Sequence, residues 1–308
     1  MIAHLVTFSD ESMSRAAQLC VRSAETNGVN DSLRWEHELL RHTVFYNENK
    51  WMRETARGLG FWAWKPWIIH KLLDFHLTGD QFVRNSITRV QDGDILIYAD
   101  AGVEFINNAN YIIDRMDQDI FLFGNNWPHY AWCKRDIVDE VWPVPACKHD
   151  DRVARIAALE KAGRSDILEV VDDLLAGYVS DTQLHDILWD SFGKQCQASV
   201  IFFRVSDYSR KFVKEWLDWC LFEGGRLIDD SPSRAPNHPE FRENRHDQAI
   251  LTTLAYREGI KLHYWPASYN DGAFSYPKLE CYAKDDYPIL FHHHRRRNHE
   301  WMKLGGNF

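Results

Sequence analysis

The chain has 308 residues, of which 45% are hydrophobic and 14% aromatic, including 13 tryptophans, enough to bury a full core in one large domain. A formal net charge of -9 argues against attachment to nucleic acid by bulk electrostatics alone and leaves a local basic groove open. The six cysteines form no CxxC pair and no dense disulfide spacing, so they read as free thiols of a reducing compartment. No apolar run approaches membrane-spanning length, and the amino terminus enters a strand pattern without a signal core. The expectation is a cytoplasmic protein with no stable membrane span, with peripheral attachment to a membrane left open.

Residues 2–8 (Ile-Ala-His-Leu-Val-Thr-Phe) read as a first strand, followed by caps at Ser9, Asp10 and Ser12 for a helix through Cys20 and Ala24. Thr7 and Phe8 would lie at that strand's carboxyl end, in reach of a base or ribose; an ordinary helix cap explains this region equally well. The dinucleotide glycine fingerprint is absent, which weakens a nicotinamide enzyme. After a short strand near Leu33 to Trp35 comes Arg57-Gly-Leu-Gly-Phe-Trp-Ala-Trp-Lys-Pro-Trp67. Its glycines give a turn, its aromatics stacking faces, and Pro66 a helix start with Ile68, Ile69, Leu72 and Leu73 inward. Lys65 thus stands at a helix entrance as a diphosphate contact, and Trp64 is a candidate stacking face for a donor, with at least one of Trp62, Trp64 and Trp67 assigned to packing.

The continuous apolar run Ile95 to Ala99 is the pattern of a strand buried on both faces, and it stops at Asp100. Ligands of α/β sheets gather beyond the carboxyl ends of strands, so Asp100 is a candidate for a hard cation carrying a diphosphate, with Gly102 letting backbone approach the ligand. A helix over Asn107 to Met116, a strand over Ile120 to Phe123 and a polar-aromatic loop over Gly124 to Tyr130 follow. Residues 148–181 read as a helical insertion. Gln197 to Phe203 is another buried strand, and the next helix turns Phe212, Val213, Trp216 and Leu217 inward. Asp247 and Gln248 fall in the first turn of a helix ending at Gly259, where a plain cap favoured by the helix dipole is the alternative. Strands over Ile260 to Trp265 and Pro288 to Phe291 close the pattern, the latter leading into His292 to Arg297. His292 and His294 can complete a metal site begun by Asp100, and Arg295 can neutralise phosphate.

In order, these pieces resemble nucleotide-sugar glycosyltransferases of the A type, including the glycogenin-like and lipopolysaccharide galactosyltransferase-like enzymes. The resemblance rests on residues 2–8, Tyr98 to Gly102, Gln197 to Val200, Asp247-Gln248 and His292 to Arg297. The Trp-x-Trp-Lys-Pro segment with Arg245-His-Asp-Gln248 also resembles a poorly characterised bacterial and viral group of such transferases. It implies a Rossmann-like mixed, mostly parallel sheet flanked by helices, with the helical insertion. Over a single domain 1–308, residues 1–130 would bind the nucleotide sugar and 195–308 the acceptor and catalytic groups. The family's Asp-x-Asp motif departs here: Gly102 occupies the second position, so Glu104 or water would have to replace that ligand.

The resemblance implies transfer of a sugar from a nucleotide diphosphate sugar to a glycan or lipid-linked acceptor. Mn²⁺ or Mg²⁺ on Asp100 and one of the late histidines would stabilise the departing diphosphate, helped by Lys65 and Arg295. Asp247 is the candidate base for an inverting reaction; in a retaining one, Asp247 or Gln248 would stabilise the donor sugar. Three alternatives are transfer to a hydroxylated base of phage or viral DNA, a non-catalytic carbohydrate-binding protein and, more weakly, a nucleotidyltransferase.

Overall fold

The computed structural model describes residues 1–74, 90–142, 193–270 and 274–303. The expected insertion at 148–181 lies outside them. Strand β1 (Ala3–Ser9) is buried along its whole length, and helix α1 (Ser14–Thr26) follows a short turn in which Asp10 Oδ1 accepts from the Met13 amide at 3.1 Å. Strand β2 (Asp31–Glu36) lies parallel to β1. Helix α2 (Trp64–Leu73) begins one residue before Lys65 and buries Trp64, Trp67, Ile68, Ile69, Leu72 and Leu73, each aliphatic chain worth roughly 1.5–3 kcal/mol.

Strand β3 (Ile95–Ala99) pairs parallel with β1. The next short strand, β4 (Val103–Phe105), belongs to a second sheet. The expected helix over Asn107 to Met116 is one turn, Asn110–Ile113. Strand β5 (Ile120–Pro128) runs through part of what the sequence reads as a loop; its register against β6 shifts at Phe121/Phe123 and again at Gly124/Pro128, the latter within that polar stretch. Beyond helix α3 (Arg135–Val141), strand β6 (Lys194–Arg204) runs antiparallel to both β3 and β5. Helices α4 (Asp207–Leu221) and α5 (His246–Arg257) are followed by β7 (Leu262–Tyr264), parallel to β5. The strands β8 (Ala267–Tyr269), β9 (Phe274–Ser275) and β10 (Phe291–His293) complete the smaller sheet with β4.

The main sheet has the order β2-β1-β3-β6-β5-β7, with β6 alone reversed. This is the expected mixed, mostly parallel sheet flanked by helices. Side chains alternate across it: Val6, Phe8, Leu96 and Tyr98 join the core beneath α2, α4 and α5, whereas Leu5, Ile95, Ile97 and Ala99 join the one shared with α1 and the smaller sheet. Two covered faces explain the uninterrupted apolar runs. Reversal of β6 carries Gln197, Ala198 and Ser199 to the edge where β1 and β3 end; the Asp100 amide donates to Ser199 O at 2.8 Å. Among the described residues no helix is long and apolar enough to cross a membrane.

Candidate active site

At that edge opens a cavity of about 510 Å³, reached by Phe8, Trp64, Lys65, Asp100, Asp247, Gln248 and Arg295. Seven residues singled out in the sequence thus converge from β1, α2, the end of β3, α5 and the segment after β10. Thr7 does not: strand alternation turns it to the opposite face, fully buried beside the Cys20 thiol.

Lys65 is the centre of the floor. Its Nζ lies 3.4 Å from Asp100 Oδ1 and 3.4 Å from Asp247 Oδ2, donates to Ala198 O at 3.0 Å, and sits 5.1 Å from the Tyr98 ring centroid. Burial alone would lower the Lys65 ammonium, but the two carboxylates overcome it and the net shift is upward. Asp247 has the opposite balance. Burial pushes its carboxyl up to about 6, although Lys65 pulls it down, and Asp100 adds to the rise. Its Oδ2 is buried without a hydrogen bond, so the ion pair is its principal support. Tyr98 donates its hydroxyl to Asp100 Oδ1 at 2.6 Å, fixing that carboxylate at the strand end.

Helix α5 is held where Asp247 needs it by three contacts. Trp216 Nε1 donates to Asp247 O at 2.9 Å, Gln248 Nε2 to Gln195 Oε1 at 2.6 Å, and the Cys196 amide to Thr252 Oγ1 at 3.1 Å. Gln248 therefore braces α5 against β6 while also facing the cavity.

The walls bring Arg57, Arg245, Arg295 and Arg297 to Lys65, Asp10, Asp100 and Asp247, and Glu243 pairs with Arg57 at 3.5 Å and with Arg245 at 3.1 Å just behind them. In an acidic chain this gathers guanidinium groups where an anion would enter. Arg245 is placed by aromatics, with its guanidinium 4.8 Å and 4.5 Å from the Trp127 and Trp132 rings, which stack on each other at 4.7 Å. Arg295 Nε donates to His293 Nε2 at 3.3 Å. Burial and then the charge of Arg295 hold His293 well below the usual histidine range, so it accepts that bond as a neutral ring.

Backbone strain gathers here too. Leu59, Phe61, Trp62, His246 and Arg295 all hold positive φ, and all but Phe61 reach the cavity. For non-glycine residues this conformation costs roughly 1–2 kcal/mol each, which the surrounding packing must offset. Part of that packing is visible: Trp64 Nε1 donates to Gly58 O at 2.9 Å, and the His246 ring stacks on Phe61 at 5.1 Å.

The expected metal set does not assemble. His293, not His292 or His294, reaches the cavity: side chains alternate along β10, so His292 points the other way, and His294 lies beyond the strand's end. His292 Nδ1 meets Ser268 Oγ at 3.1 Å, and His294 Nδ1 accepts from the Arg296 amide at 3.0 Å. Gly102 admits the backbone of Arg295 rather than a ligand: a Cβ there would lie 2.9 Å from Arg295 Cα. Among the described residues no three His, Cys, Asp or Glu side chains are grouped to hold a metal. The donor set of Asp100 with His292 or His294 therefore does not fit a divalent ion.

The reach of Trp62 and His293 into the site is not legible in the sequence, and Arg245 is legible there only as a phosphate contact of the DNA alternative. The signal for His293 was the two-residue period of β10 alone, and for Arg245 its place directly before the His-Asp-Gln helix start.

No family model matches the sequence, and no curated protein does. Among solved structures, an active-site mutant of LgtC is 13% identical, covering 95% of this chain and 87% of that one, with a TM-score of 0.41. The galactosyltransferase LgtC in complex with donor and acceptor sugar analogs gives 13% identity, the same coverage and a TM-score of 0.38. Mouse xyloside xylosyltransferase 1 in its apo form gives 10% identity, 95% and 97% coverage and a TM-score of 0.40.

Proposed function

We propose that the protein is a glycosyltransferase that moves a sugar from a nucleoside diphosphate sugar to a hydroxyl of a glycan or lipid-linked saccharide. The observation that carries this is the buried ammonium of Lys65 between the carboxylates of Asp100 and Asp247, on the floor of a cavity walled by arginines. Such a site needs an anionic ligand that brings a reacting centre close to a carboxylate. A nucleoside diphosphate sugar meets both conditions.

Phe8 and Trp64, stacked with centroids 3.8 Å apart, offer a flat surface for the base, and Arg245 and Arg295 receive the diphosphate. In the reaction the bond from the sugar's anomeric carbon to the diphosphate oxygen breaks and its electron pair leaves with the diphosphate. Arginines fixed before reaction stabilise that developing charge without reorganising. As the acceptor oxygen bonds to the anomeric carbon, its proton passes to the Asp247 carboxylate, which is mostly ionised at neutral pH when its pKa is about 6. Gln248 keeps Asp247 in register with β6.

A screen of uridine and guanosine diphosphate sugars, reading release of free diphosphate in the presence of simple saccharide acceptors, tests this. Release from one donor, slowed about 10²- to 10⁴-fold by Asp247→Asn, is expected. Sugar binding without release of diphosphate from any donor would instead make the protein a carbohydrate-binding module.

A further inference from the structure

We infer that the Lys65 ammonium stands in the position of a divalent ion, so that the site takes its diphosphate ligand without a metal; this rests on the nucleoside diphosphate reading above. Nζ donates one hydrogen bond, to Ala198 O at 3.0 Å, and lies 3.4 Å from a carboxylate oxygen of Asp100 and of Asp247, ion-pair distances that suit an ammonium between two carboxylates. A bound Mg²⁺ would draw its oxygens in to about 2.1 Å and demand an octahedral set. Asp100 cannot recruit a second carboxylate two residues on, because position 102 has no room for a side chain: a Cβ would lie 2.9 Å from Arg295 Cα and 3.1 Å from Arg295 N. The same contact is tied by Gly102 O, which accepts from the His294 amide at 3.0 Å. The chain segment that excludes a second acid thereby delivers the Arg295 guanidinium to the cavity. Charge that a metal would bring is supplied by fixed side chains: Lys65 at the carboxylates, and Arg295 with Arg245 towards the phosphates.

The full-length protein, stripped with EDTA, is titrated with Mn²⁺ and followed by electron paramagnetic resonance, and separately with UDP and GDP in EDTA or in Mn²⁺. The expected result is no Mn²⁺ uptake that depends on Asp100, and binding of one diphosphate with affinities in the two buffers agreeing within about threefold. Lys65→Gln is expected to weaken that binding about tenfold or more. Mn²⁺ uptake lost in Asp100→Asn, or diphosphate binding that requires the ion, overturns the inference. If Lys65→Gln fails to fold, the wild-type titrations decide alone. Should neither diphosphate bind in either buffer, the donor assignment fails, and the Mn²⁺ titration still decides whether an ion occupies the Lys65 position.

Discussion

Lys65 Nζ stands 3.4 Å from Asp247 Oδ2, and both side chains are almost wholly withdrawn from solvent. Neither charge is stable at that depth without the other. Replacing Lys65 by Met leaves two carboxylates facing each other around an apolar chain. The expected cost is about 3–5 kcal/mol at pH 8, smaller at pH 5 where Asp247 takes up a proton. Urea unfolding at the two pH values measures it; equal losses at both would remove the ion pair as the cause.

Asp247 makes stability fall with rising pH. Its carboxyl goes from an ordinary 3.8 in the unfolded chain to about 6 in the fold, so between those values the native state holds the extra proton. The stabilisation is complete below pH 4 and is lost as pH climbs through 6, about 3 kcal/mol in all. Asp247→Asn should lack this slope. Parallel stability profiles for the variant and the wild type would show that Asp247 does not titrate there.

The same group sets the pH dependence of turnover. A base must be ionised, so diphosphate release should rise with pH along a limb centred near 6, and Asp247→Asn should cut the rate about 10²- to 10⁴-fold. A limb that persists in the variant points to another base.

Arg245 owes its orientation to the stacked Trp127 and Trp132 rings and to Glu243 Oε1, 3.1 Å from its Nη2. Lysine has the charge but not the plane, so Arg245→Lys should weaken nucleoside diphosphate binding about tenfold while leaving the thermal midpoint nearly unchanged. Calorimetric titration checks it. Full affinity in the variant would mean that only net charge matters at this position.

At Gly102 an added methyl meets backbone, not a movable side-chain tip. Gly102→Ala should cost about 1–3 kcal/mol and displace Arg295, so that loss of stability and loss of diphosphate affinity come together. A stable variant with reduced affinity, or the reverse, would uncouple the two effects.

The sheet's composition was readable because a strand covered on both faces has no polar alternation, and residues 95–99 and 200–203 have none. Its direction was not: an apolar run reads the same either way, and only the pairing of β6 with β3 reveals the reversal that brings Ser199 to Asp100. Lys65, Asp100 and Asp247 were each identifiable from a helix entrance, a strand end and a helix first turn. Their meeting around one ammonium depends on long-range packing that no local pattern encodes. The three adjacent histidines show the limit most sharply. The two-residue period sets His293 apart from its neighbours only once β10 is placed against β4.

The left-handed bend through Leu59, Phe61 and Trp62 has a consequence for how this pocket can diversify. Branched side chains are nearly barred from such backbone, and Gly58 is pinned by a Trp62 ring atom only 2.4 Å from where its own Cβ would stand. That rim is consequently frozen against mutation, one exchange at a time. Arg245, which also reaches the cavity, has an ordinary negative φ, so a change of ligand preference meets less backbone resistance there.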